Sequence, residues 1–341
     1  MRTNFSKSEL EADADYARNH EECGLKLHGG FDESGQYQSP RTLHRWDAIS
    51  AWEQQLTSKG VELVEATTEL LTEPNYPNVD QQLYLLSQGV EQPLWDSLTI
   101  TGLIEARGKA LAEFTAPDFQ EIIVEDITDT GLGHLNKGLL TSHGWDEGGL
   151  PGSGLGGHDL MWFAARDLIF GEGRFPIAQP PASIGREKDG REMTQIPEAH
   201  EMLISFLMNL LMIEVRAERA FRFYEDVIGD ESVFKDKRAE AVKAVEMINR
   251  IRLDESVHVA WLKVAISEFR SSTIKTNDGQ VVSGAEILDP VWQQMVHWHA
   301  VLMHEANREN NITNLHNKIR SAVDDEEKAT QVIAEMDRLA G

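Results

Sequence analysis

Apolar residues recur at steps of three and four over most of the chain, which is the repeat of one helical face. Between Pro40 and Gly60, the positions Leu43, Trp46, Ile49 and Trp52 lie on such a stripe, and Gly60 supplies a stop. Segments 61–72 and 79–91 continue the helical reading on either side of the breaker EPNYPN. Four longer helices are predicted at about 93–114, 117–140, 198–228 and 236–270; the second begins at Pro117, where a proline suits a first helical turn. The stretch 141–197 is rich in Gly and Pro (GGLPGSGLGG, FPIAQPP), with one short helix near HDLMWFAARDLIF. KTNDGQVVSG reads as a loop or a small hairpin around Asp278-Gly279, and helices return at about 290–320 and 324–340. Almost nothing alternates as a strand does, so the expected class is all-α. The expected organisation is a polar arm (1–40), flanking helices (41–92), a four-helix bundle (93–270) with its crossover at 141–197, and a helical extension (271–341).

Polar residues interrupt these stripes at informative places. In the fourth long helix Ala244, Ile248, Ile251, Leu262, Ala265 and Phe269 form the apolar face, and Glu255 and His258 occupy the two places that complete it. Residues three apart share a helical face, so both groups point inward. A buried carboxylate without a partner is costly, and a metal ion answers that cost by accepting oxygen from Glu and nitrogen from His. Alone, this Glu-x-x-His fits equally a Glu255 paired with an arginine and a His258 satisfied within the core. Asp254 falls off the stripe and reads as peripheral.

The third helix carries Glu214 in the middle of the stripe Leu203, Leu207, Leu210, Ala217, Phe221, with Glu218 one turn on. The first helix repeats it: LIEARGKALAEF (103–114) aligns without gaps on MIEVRAERAFRF (212–223), pairing Ile104 with Ile213, Glu105 with Glu214, Arg107 with Arg216 and Phe114 with Phe223. An internal duplication of a helix pair accounts for this match. The second helix should then carry a partner for His258, and His134 is the histidine it offers. Three residues before it, where the duplication calls for a glutamate, stands Gly131; neither Glu125 nor Asp129 replaces it on that face.

This pattern resembles the ferritin-like diiron-carboxylate superfamily, which includes rubrerythrins, ribonucleotide reductase small subunits, acyl-carrier-protein desaturases and bacterial multicomponent monooxygenases. The resemblance covers about 95–270, and it implies a ferritin-like bundle with a single Glu on each of two helices and Glu-x-x-His on each of the others. It implies Glu105, His134, Glu214, Glu255 and His258 as metal ligands, with Glu218 as an additional or shifting one. Water, substrate, or His143, His158 or Asp159 of the crossover could fill the place opened by Gly131. Two iron ions are implied, with iron–manganese, two manganese ions or a single metal as alternatives. The implied activity is that of an oxidase or oxygenase that activates dioxygen to oxidise a small organic substrate, drawing on an external electron-donor protein. A metal-handling or peroxide-removing protein and a non-catalytic helical interaction protein are the alternatives.

Other features carry less. Trp261 reads as core packing, and VHWHAVLMHE, with His297 and His304, as a solvated or interface helix. Tyr224 carries no radical-site signature. Arg107 and Arg216 suit either hydrogen bonds to carboxylates or surface pairs, and GSGLGG lacks the strand and helix of a nucleotide loop.

Composition narrows the setting. With 32 Lys and Arg against 57 Asp and Glu the formal charge is −25, which repels phosphate backbones and anionic membranes. No nucleic-acid partner is expected. Cys23 is the sole cysteine, which excludes intramolecular disulfides and thiolate clusters and suits a reducing cytoplasm. The first residues lack the apolar core of a signal peptide, and the apolar run MLISFLMNLLMI (202–213) falls short of the roughly twenty residues a bilayer requires. No membrane association is expected, and a homodimer is one option for assembly.

Overall fold

The long three-and-four stripes become the long helices. The computed structural model describes residues 1–187 and 190–340. Its elements run α1 (Lys7–Leu10), β1 (Arg18–Glu22), β2 (Leu25–Phe31), β3 (Tyr37–Gln38), α2 (Arg45–Ser58), α3 (Val79–Ser87), α4 (Gln92–Gly108), α5 (Leu139–Gly148), α6 (His158–Phe170), α7 (Glu198–Gly229) and α8 (Arg238–Ser271). They continue with β4 (Thr273–Lys275), β5 (Val281–Ser283), α9 (Gly284–His297), α10 (Met303–Ala322) and α11 (Glu326–Arg338). The fold is mainly helical, as the periodicity predicts. The small sheets are β1-β2-β3, inside the segment expected as a polar arm, and the β4-β5 hairpin around Asp278-Gly279.

The helix predicted over 117–140 does not form. The chain there makes two 3₁₀ turns, Phe119–Glu121 and Leu132–Lys137, and lays Val124 and Lys275 across the β4 backbone region through Val124 N–Thr273 O and Lys275 N–Ile122 O bonds. Its glycines explain the departure: a Cβ on Gly133 would strike the Ile127 carbonyl, and Gly138 sits at φ +114°. In compensation, the stretch expected as crossover supplies α5 and α6. Helix α6 packs on α4 and α8, and α7 packs along α8, so the helices around the interior are α4, α6, α7 and α8, with α5 laid against α4.

Two apolar clusters meet along these helices. One includes Leu211, Met212, Val257, Trp261 and Leu262; the other includes Leu94, Leu98, Phe221, Tyr224, Ile248 and Ile251. Between them, on the same helices, lie Glu105, Glu214, Glu255 and His258, so a polar layer is sealed from above and below by apolar packing. No helix among the described residues is long and apolar enough to cross a membrane.

Candidate metal centre

Seven side chains converge in this polar layer. Helix α4 delivers Glu105, α5 delivers His143 and Glu147 one turn apart, α6 delivers His158 from its first position, α7 delivers Glu214, and α8 delivers Glu255 and His258. All are buried, and the three imidazoles are 0% exposed. Glycine lets α5 come close enough: Cβ atoms on Gly144 and Gly108 would collide with Ala112 and with Glu147 itself. The Gly-rich sequence that disguises 141–157 as loop is thus what packs Glu147 against the end of α4.

Glu147 Oε1 is the hub. It lies 3.4 Å from His143 Nε2, 3.6 Å from His158 Nδ1 and 3.3 Å from His258 Nδ1. Glu255 reaches His158 Nδ1 at 3.0 Å and His258 Nδ1 at 2.7 Å, Glu105 reaches His158 Nδ1 at 3.7 Å, and Glu214 reaches His143 Nε2 at 3.4 Å. The rings of His143 and His258 stack at 3.7 Å. A group of ligand-capable atoms from His28, His158 and Asp254 lies behind the cage, and those of the cage itself form two more, each within 4.8 Å: His143, Glu147, Glu214 and His258, and Glu105, Glu147, His158 and Glu255. Glu147 belongs to both.

Burying four carboxylates and three imidazoles together redistributes their protons. Burial, with Glu147 and Glu255 nearby, holds the Glu105 and Glu214 carboxyls well above the usual carboxylate range. Burial also opposes charge on Glu147, but the close imidazoles of His143, His158 and His258 override it and hold Glu147 well below that range. Glu255 is held at about 2 against its own burial and the Glu147 charge, by His158 and His258. His158 and His258 are raised well above the imidazole range, because Glu255 and neighbouring carboxylates outweigh burial, whereas burial and the adjacent His258 bring His143 down to about 4. Protons thus occupy a cage whose carboxylates would otherwise repel one another.

Even so, His143 Nε2, Glu147 Oε1, His158 Nδ1 and Glu255 Oε1 are buried without a hydrogen-bond partner. Buried polar atoms are normally satisfied, and a cluster of orphans turned toward one another is compatible with a bound cation. The donor set, carboxylate oxygen with imidazole nitrogen and no sulfur, suits iron or manganese. Each of the two groups therefore has a donor set that could hold a metal ion, and Glu147 is common to both.

Behind the cage stand two more carboxylates. Asp146, fully buried, accepts from His258 Nε2 at 3.1 Å, from Arg45 Nη2 at 2.8 Å and from Arg41 Nε at 2.9 Å. Asp254, also fully buried, accepts from His158 Nε2 at 3.3 Å and from the Tyr37 hydroxyl at 3.1 Å, and lies 2.9 Å from His28 Nε2. Each acid fixes the imidazole so that Nδ1 faces the cage. Asp254 is therefore not peripheral.

Of the residues singled out from the sequence, Glu105, Glu214, Glu255 and His258 are brought together. His134 is not: its Nδ1 donates to Thr130 O at 2.6 Å, its Nε2 accepts from Phe5 N at 3.1 Å, and its ring lies 4.8 Å from that of Trp52. It is a satisfied histidine outside the layer. Glu218 is also outside, held by Arg252 at 2.8 Å and Arg222 at 2.7 Å. Gly131 leaves no vacancy in the cage; its N–H and that of Leu132 each donate at 2.8 Å to Glu268. A further carboxylate enters the cage from elsewhere, as Glu147 of α5. His143 and His158 enter the cage, while Asp159 turns to the backbone of Gly157 and Leu160. Arg107 and Arg216 bond backbone carbonyls rather than the cage, and Trp261 Nε1 donates to His143 Nδ1 at 3.3 Å. Two sequence signals point to the missed residues: the four-residue spacing of His143 and Glu147, and the Asp-Glu dipeptide shared by 146–147 and 254–255.

An open groove of about 530 Å³ between α7 and α8 is lined by Glu214 and Glu255 together with Glu218, Arg252, Leu253 and Val259. It connects the carboxylates of the cage with solvent. Comparison with protein-family models, with curated proteins and with solved structures gives no match, so what the chain does has to be argued from these residues and their geometry.

Proposed function

We propose that this chain is a dinuclear-metal oxidoreductase, with iron the foremost candidate, that activates dioxygen to oxidise a small organic substrate. The observation that carries the reading is the convergence of four unpartnered buried atoms, His143 Nε2, Glu147 Oε1, His158 Nδ1 and Glu255 Oε1, at the overlap of two four-residue groups. These atoms face one another across contacts of 3.0 Å (His158–Glu255), 3.4 Å (His143–Glu147) and 3.6 Å (His158–Glu147) without completing a hydrogen bond, an arrangement that a cation among them would satisfy. The ferritin-like resemblance, on Glu105, Glu214, Glu255 and His258, supports the same reading.

In it, His143, Glu147, Glu214 and His258 hold one ion and Glu105, Glu147, His158 and Glu255 the other. Metal ions held by these residues would supply the redox chemistry toward dioxygen that side chains alone lack. The chain's own contribution is to orient and to exclude. Asp146 and Asp254 keep the Nε2 protons of His258 and His158, leaving Nδ1 of each ring turned to the cage. The apolar clusters on either side exclude water, and the groove beside Glu214 and Glu255 admits a small molecule from the α7–α8 face; its volume falls in the range of small-molecule sites. Glu105 and Glu214, raised by burial and by the neighbouring carboxylates, are the carboxyls of the cage that hold protons most readily.

The test is metal content and oxygen uptake. Protein reconstituted with ferrous iron should bind two ions per chain, and reductant should drive oxygen uptake that an organic substrate accelerates. Iron turnover or peroxide loss without any substrate effect would favour the metal-handling alternative. Absence of bound metal in the intact protein would leave only the structural one.

A further inference from the structure

The two four-residue groups look alike until the residues behind them are counted. The first contains Glu147 and Glu214, with Asp146 behind His258; Arg41 and Arg45 both pair with that aspartate. Three carboxylates are thus opposed by two guanidiniums, both nearly fully buried and unscreened. The second contains Glu105, Glu147 and Glu255, with Asp254 behind His158. Among the described residues no lysine or arginine pairs with Asp254; its neighbours are His28, His158 and the Tyr37 hydroxyl. Four carboxylates there face no guanidinium.

The difference is built by the N-terminal segment. Arg41, in the turn ahead of α2, and Arg45, its first residue, reach the α5 side of the cage, whereas β2 and β3 bring His28 and Tyr37 to the α8 side. His28, 3% exposed, has no hydrogen-bond partner at either ring nitrogen, so nothing else competes for its contact with Asp254. A dication entering the cage meets a more negative surrounding at the second group, and its histidine is backed by a carboxylate that no guanidinium neutralises among the described residues.

We propose that the two groups are inequivalent metal positions filled in order, with Glu105, Glu147, His158 and Glu255 taking the first and tighter ion, and that Asp254 is the positioning residue responsible for the order. The proposal rests on the reading that the cage binds metal. It needs no substrate and no redox chemistry, so a redox-inert ion serves as probe.

Metal-free full-length protein is titrated with zinc by calorimetry, with bound zinc counted after gel filtration and folding checked by circular dichroism. Two steps separated by at least tenfold in affinity are expected. Glu105→Gln should remove the tight step and leave the weak one, and Glu214→Gln should do the reverse. Asp254→Asn should weaken the tight step by tenfold or more while the total stays at two ions, whereas Asp146→Asn should spare the tight step. Should Asp254→Asn fail to fold, the two glutamate variants still decide the order. Two equal steps, or loss of the tight step in Glu214→Gln, would overturn the assignment. Binding of no zinc at all would instead bring down the reading beneath it, and the two failures are distinguishable in the parent protein alone.

Discussion

Asp146→Asn probes how the N-terminal segment is tied to the cage. The carboxylate is 0% exposed, as is its His258 partner, and the side chains of Arg41 and Arg45 are 3% and 1% exposed. The amide keeps the shape but removes the charge, so two buried guanidiniums lose their counterion. Breaking one side of such a pair costs about 3–5 kcal/mol, because the remaining charge is left in a medium that solvates it poorly. Arg45 Nε and Nη1 already lack partners, so little local slack exists to absorb the loss. Urea denaturation of the metal-free protein should therefore show Asp146→Asn destabilised by roughly that amount. Arg45→Met in the same background should recover part of it, giving a coupling of about 1–3 kcal/mol between the two positions. A variant within about 1 kcal/mol of the parent, or strictly additive effects, would refute the claim that this cluster is a desolvated charge pair.

Three further outcomes follow from individual residues. Glu268, whose carboxyl burial raises to about 7 despite hydrogen bonds from Leu132 and Gly131, binds a proton more readily folded than unfolded. Its contribution is therefore present at acid pH and lost as pH rises from its unfolded value through 7, by roughly 3 kcal/mol at most; the pH dependence of urea stability should flatten in Glu268→Gln, and an unchanged profile would count against it. Metal binding should expel protons, since Glu105, Glu214, His158 and His258 are all raised and must shed protons to ligate, so affinity should climb with pH. Calorimetry in two buffers of different ionisation enthalpy should register net proton release, and no release would contradict the proton distribution described. His134→Ala should leave metal stoichiometry unchanged while costing about 2 kcal/mol of stability, through two lost hydrogen bonds and the contact with Trp52; a loss of bound metal would return His134 to the site.

The legible part of the site lies on long, regular helices. Glu105, Glu214, Glu255 and His258 interrupt uninterrupted apolar stripes, and helical periodicity carries such positions to one face whatever the rest of the chain does. The α5 half was hidden because its residues sit among glycines. LLTSHGWDEGG has the composition of a loop, yet the glycines serve to bring a short helix against Ala112 and Lys109 at the end of α4. The duplication argument sought another glutamate beside His134, in a segment whose glycines close 3₁₀ turns instead of extending a helix, and the fourth carboxylate of the cage is Glu147 of α5. Asp254 fell off the apolar stripe because it faces a different neighbour, the β2–β3 ribbon, which period-3.6 reasoning about a single bundle does not anticipate. The mainly helical class was readable throughout, and so was the β4–β5 hairpin around Asp278-Gly279; the β1-β2-β3 sheet was not, because its strands are short and lie in a polar segment without clear alternation.

Anomalous diffraction from crystals of the iron-loaded protein, recorded on either side of the iron absorption edge, tests the central claim most directly. Two iron peaks on either side of the Glu147 carboxylate, one beside His143 and Glu214 and the other beside His158 and Glu105, are the expected result. Iron bound elsewhere, or a cage that keeps its protons and holds no iron under saturating metal, would contradict the account.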